Sequence, residues 1–99
     1  MKIIAEVSIT PIGVGVSFSE QIAECERIFK KADLKIQLHA QGTNIEGEFD
    51  DVMKAIKESI QTLHAENIPR LSTNIQLSTR IDKDQSMNDK VKSVEKRLQ

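Results

Sequence analysis

The chain has 99 residues, 14 Lys and Arg against 15 Asp and Glu, a formal net charge of −1, three Phe, no Trp and no Tyr. That length holds one domain; the charge balance excludes a nucleic-acid binder working through basic excess, and the scarcity of aromatic rings excludes a base-stacking platform. Cys25 is the single cysteine, so no intrachain disulfide forms, as expected of a reducing compartment. The opening MKIIAEVSITP is too short and too alternating for a signal peptide. No stretch approaches the roughly 20 apolar residues of a membrane span. The expectation is a cytoplasmic protein with neither a membrane nor a nucleic-acid partner.

Residues 2–10 alternate, with Ile3, Ala5, Val7 and Ile9 on one side and Glu6, Ser8 and Thr10 on the other; Ile4 is the exception. This predicts a half-buried strand, broken by a loop at Pro11, Gly13 and Gly15. Ser17 followed by Glu20 has capping-box spacing. Phe18, Ile22, Cys25 and Phe29 then recur at helical intervals, predicting an amphipathic helix over about 18–31 that Asp33 closes. A second strand is expected over 34–40, with Leu34, Ile36, Leu38 and Ala40 opposed to Lys35, Gln37 and His39. Gln41-Gly42 reads as a turn, and residues 43–48 as a third strand with Ile45 and Gly47 opposed to Asn44, Glu46 and Glu48.

Asp50 is expected to cap the next helix, with Asp51 in its first turn. Val52, Met53, Ile56, Ile60 and Leu63 form its apolar stripe, and Asn67 and Pro69 end it. The last strand is predicted over 70–81, with Leu71, Thr73, Ile75 and Leu77 opposed to Ser72, Asn74, Gln76 and Ser78. After a polar break from Asp82 to Gln85, Ser86 is placed to cap a third helix carrying Met87, Val91, Val94 and Leu98. Its narrow stripe fits a docking helix, a coiled-coil-like contact or a frayed tail.

The order strand, helix, hairpin, helix, strand points to an α+β fold: the split β-α-β, or ferredoxin-like, sandwich. Right-handed crossovers put two helices on one face of a four-stranded antiparallel sheet, with the short C-terminal helix added. Residues 1–83 would form the ferredoxin-like domain and 84–99 a helical extension of it. The other sheet face carries mainly short hydroxyls and amides, not the Lys and Glu mixture of a solvated surface. Water, a subunit interface and a small-molecule site are each compatible with it. Strands one and three are central in this fold, which sets Glu6, Ser8 and Thr10 beside Asn44, Glu46 and Glu48. Such a carboxylate cluster suits a cationic or amino-substituted ligand, or pairs with Lys35 or Arg80.

Catalytic constellations are missing. Gly13-x-Gly15 lacks the further glycine of a dinucleotide loop, since Phe18 holds that position. His39 and His64 do not make a metal set, Cys25 lies in a helix stripe, and no nucleophile has a partnered base. The expectation is binding without catalysis, with no cofactor and no metal.

The segments SITPIGVGVSFSEQIAE, GTNIEGEFDDVMKAI and PRLSTNIQLSTRID together resemble the small thiamine-binding protein family over about residues 3–83. The most specific parts are Gly42, Thr43, Ile45, Glu46, Gly47 and Glu48, and the loop Pro11, Gly13, Gly15 and Ser17. The resemblance implies a ferredoxin-like fold, homo-oligomers (a dimer of dimers) with sheets packed together, and binding of thiamine or its hydroxymethylpyrimidine portion as carrier or sensor. It implies that Glu46 accepts from the exocyclic amine or neutralises the thiazolium, while Ser8, Thr10, Thr43 and Asn74 supply hydrogen bonds. Gln37, Asn44 and Glu48 complete the expected polar-face site at a subunit interface. The alternative is a structural or regulatory oligomeric module of the same fold, with a different ligand or none.

Overall fold

The computed structural model describes residues 1–99. Its elements are β1 (Lys2–Pro11), α1 (Ser19–Lys31), β2 (Lys35–His39), β3 (Gly42–Glu48), α2 (Phe49–Ala65), β4 (Leu71–Ser78) and α3 (Met87–Leu98). The sheet runs β2-β3-β1-β4, and all neighbours are antiparallel. This is the ferredoxin-like sandwich, with α1 and α2 on one face. Alternation explains that face: Ile3, Ala5 and Val7 of β1 and Ile45 of β3 point inward and meet Phe29 of α1 and Val52, Ile56 and Leu63 of α2 in one buried cluster. Both helices end on a residue in the left-handed region, Asp33 (φ 59°) and Asn67 (φ 67°), where the backbone leaves the helical path.

The expected cap of α1 is absent. The helix starts at Ser19 with Phe18 in the capping position and no side-chain cap. Ser17 therefore lies one residue too early to reach the first-turn amides, and its hydroxyl sits 3.4 Å from that of Ser19. Asp50 is likewise not a cap. β3 runs straight into α2 without a loop, so the capping position falls to Glu48, which makes no side-chain cap bond. The Glu48 carboxylate instead accepts from the Met1 ammonium at 2.9 Å, while Asp50 and Asp51 face the helix dipole from the first turn.

The hairpin turn is Ala40-Gln41, one residue earlier than expected, because Gly42 pairs with His39. Gly42 must be glycine here: a Cβ would stand 2.8 Å from the Val7 carbonyl oxygen. β4 is shorter than expected and stops at Ser78. Just beyond, Arg80 folds back locally, donating to Asp82 (2.7 Å) and Gln85 (2.9 Å). That guanidinium holds the Asp82 carboxyl down at about 2.

α3 crosses the face of the sheet opposite α1 and α2. Ser86 caps it in a reciprocal box with Asp89: the Asp89 amide donates to the Ser86 hydroxyl at 3.0 Å and the Ser86 amide to the Asp89 carboxylate at 3.1 Å. No residue of α3 is buried. Its first turn is tied down by the Met87 amide, which donates to Glu46 at 2.6 Å.

Candidate functional site

A pocket of about 310 Å³ opens between α1 and the sheet, where the β2–β3 hairpin meets β1. Strand register creates it. On the hairpin side β1 pairs with β3 only as far as Val7↔Thr43, whereas on the other side it pairs with β4 as far as Pro11↔Leu71. The stretch Ser8–Thr10 thus has a strand partner on one side only, and the space opposite is bounded by α1. Phe18, at the capping position of α1, and Ile22 and Phe29 of the helix supply apolar wall, and Leu38 and Thr43 come from the hairpin.

The polar centre of this wall is Glu26 of α1. The residue is 9% exposed. The Thr43 hydroxyl donates to its Oε1 at 2.5 Å, and its Oε2 is buried without any hydrogen-bond partner. A carboxylate out of water is stabilised by filling its acceptor sites, so one bare oxygen is an unmet demand. Cys25 also lines the pocket, but burial pushes its thiol up to about 11, so it is not a nucleophile at neutral pH.

The polar sheet face is organised differently. The Nδ1 of His39 accepts from the Gln41 amide at 3.3 Å, which leaves the proton on Nε2. That nitrogen donates to Asn44 Oδ1 at 3.2 Å and lies 3.3 Å from the Glu6 carboxylate. Asn44 in turn donates to Gln37 at 3.1 Å. The network spans β1, β3 and β2. A groove of about 220 Å³ lies over it, roofed by Met87 and Val91 of α3 and floored in part by Ile4, Gln37 and Asn44.

The expected site residues are thus divided. Ser8, Thr10 and Thr43 line the helix-side pocket, with Thr43 pointing toward the helices, since it pairs with inward-facing Val7. Gln37 and Asn44 lie in the groove beneath α3. Glu46 is 4% exposed, held by the Met87 amide and by Lys2 at 3.6 Å. Lys35 is its register partner on β2, but its carboxylate makes its ion pair with Lys2 and not with Lys35 or Arg80. Glu48 is taken by the N-terminal ammonium, and Asn74 sits opposite Ser8 on the β4 edge. Glu26 was not among the expected residues. The available signal was its position, four residues after Ile22 and three before Phe29, which puts a carboxylate on an apolar stripe. No group of three His, Cys, Asp or Glu is placed to hold a metal ion, and no helix is long and apolar enough to cross a membrane.

The model of the family described as "Thiamine-binding protein" matches residues 5–95. The chain belongs to that family. It is 42% identical over 95 residues to the UPF0045 protein sll0230 of Synechocystis sp., covering 96% of this chain and 78% of that one. To the UPF0045 protein MJ1052 of Methanocaldococcus jannaschii it is 37% identical over 93 residues, covering 94% of this chain and 92% of that one. The crystal structure of MJ1052 superposes with a TM-score of 0.88 at 36% identity, over 95% of this chain and 96% of that one. The protein TM0486 of Thermotoga maritima, only 18% identical, shares the fold at a TM-score of 0.81 over 95% of this chain and 99% of that one.

Proposed function

We propose that this member of the family binds thiamine, or its hydroxymethylpyrimidine portion, without catalysing a reaction on it, and that the ligand occupies the pocket between α1 and the sheet. The observation that carries the placement is the pocket itself: one buried carboxylate, a hydroxyl that orients it, and apolar and aromatic wall around both. Its volume, about 310 Å³, reaches the range of small-molecule sites, about 300–1,000 Å³. Apolar walls with a few convergent polar groups are how such sites fix an orientation. On the polar sheet face, by contrast, His39, Asn44 and Gln37 bond to one another and Glu46 is taken up in anchoring α3. No activated nucleophile accompanies the pocket, so the reading is a carrier or sensor. β2 and β4 are free edges of the sheet, and such edges favour assembly of several copies; we assign the working form to a cytoplasmic homo-oligomer.

The test is calorimetric titration of the purified chain with thiamine and with hydroxymethylpyrimidine, its mass followed by light scattering. Saturable heat at a defined ratio per chain is expected. Ligand at about a hundredfold excess over Kd should also stabilise the fold by about 2.7 kcal/mol. Silence in both titrations, with unchanged thermal stability at about millimolar ligand, would remove the assignment.

A further inference from the structure

We infer that Glu26 sets the ligand class of this pocket: a flat heteroaromatic that presents an amino or cationic N–H, and not the phosphate ester of such a compound. The inference rests on the placement proposed above and deepens it.

Three features of the wall lead to it. The first is the bare acceptor. Thr43 fills one oxygen of the carboxylate and leaves the other with no donor in the whole chain. A buried oxygen in that state favours an occupant bringing an N–H and rejects one bringing a lone pair. The second is charge. No Lys or Arg lines the pocket, and its one imidazole, His39, already donates to Asn44 beside Glu6. A phosphate dianion entering here would meet a buried carboxylate with no Lys or Arg in the wall to offset the repulsion between like charges. The third is shape. Phe18, half-buried, lines the same cavity as Glu26, with the enclosed Phe29 behind it, so a planar ring placed against Phe18 can turn its amino edge toward the carboxylate. A cationic ring gains further from an aromatic wall.

This selectivity differs from simple affinity. A site whose buried polar group is complemented by one ligand penalises the analogue that leaves it unpaired far more than a hydrophobic wall penalises a change of size. Glu26 should therefore matter little to the fold and much to the choice among similar ligands.

The full chain and its Glu26→Gln variant are titrated with thiamine, with the analogue whose exocyclic amine is replaced by a carbonyl oxygen, and with thiamine monophosphate. The wild type is expected to bind thiamine at least about tenfold more tightly than either of the others. In Glu26→Gln, thiamine should lose about tenfold or more, and the preference over the carbonyl analogue should shrink to within about threefold. Its melting temperature should hold or rise, because the change removes a partly unpaired buried charge. Thr43→Val is the second variant. It keeps the carboxylate and should keep the order of preference even if affinity falls.

Unchanged preferences in Glu26→Gln, or a phosphate ester binding as tightly as thiamine, would overturn the inference while leaving thiamine binding intact. If thiamine itself fails to bind, the benzamidinium cation supplies the separate arm as a flat aromatic N–H probe. Stabilisation of the wild type and not of Glu26→Gln by benzamidinium would then support the ligand class without thiamine. No stabilisation of either would end both readings.

Discussion

Phe29→Ala is expected to destabilise the chain by about 3–5 kcal/mol, the usual cost of truncating a fully enclosed phenylalanine. Phe29 is 1% exposed and belongs to the single core cluster. Its ring lies where α1 meets the sheet, so removing it leaves a cavity bounded by sheet and helix backbones that cannot collapse freely. A small domain holds only about 5–15 kcal/mol in total, so the variant should unfold at markedly lower urea with an unchanged slope. Phe29 also lines the pocket, and ligand affinity should fall with it. A loss under about 1 kcal/mol would mean that the ring is not enclosed as described.

Gly42→Ala should cost about 1–3 kcal/mol, the range for overpacking. The added Cβ would stand 2.8 Å from the Val7 carbonyl oxygen, a backbone atom held in the central β1–β3 pairing that cannot rotate aside. Gly47→Ala is the matched comparison. There the Cβ meets the Leu34 Cδ2 at 2.6 Å, the far end of a flexible side chain, and repacking should make the cost smaller. The two variants differ functionally as well. Gly42 precedes Thr43, the residue that orients Glu26, so strain at Gly42 displaces the pocket hydroxyl. Thermal melts together with thiamine titration should show Gly42→Ala losing stability and affinity together, and Gly47→Ala retaining affinity.

The sheet and its two covering helices were legible because period-2 and period-3.6 patterns report burial directly. The irregular residues were the informative ones. Ile4 broke the alternation of β1, and the structure accounts for it: α3 crosses the polar face and brings Met87 and Val91 over Ile4. That long-range docking leaves no local trace, which is why Glu46 read as a carboxylate open to a ligand when it anchors a helix 41 residues later. Ser17 and Asp50 had the chemistry of caps, but the helix starts were set elsewhere: by the loop before Ser19 at one, and by the direct strand-to-helix junction at Glu48 in the other. The pocket was hidden for a different reason. It depends on where β3 stops pairing with β1, a matter of register between strands some 36 residues apart (Val7 and Thr43). Glu26 was visible only as a charge on an apolar stripe, and its meaning required knowing that Thr43 faces the same space.

The placement of the site is tested most directly by following backbone amide resonances of the whole chain during titration with hydroxymethylpyrimidine. Progressive, saturable shifts are expected at Ser8, Cys25, Glu26 and Thr43, around the helix-side pocket, with Gln76, Ser78 and Lys90 in the groove under α3 left in place. Shifts confined to the groove residues would put the ligand on the polar sheet face and contradict the account.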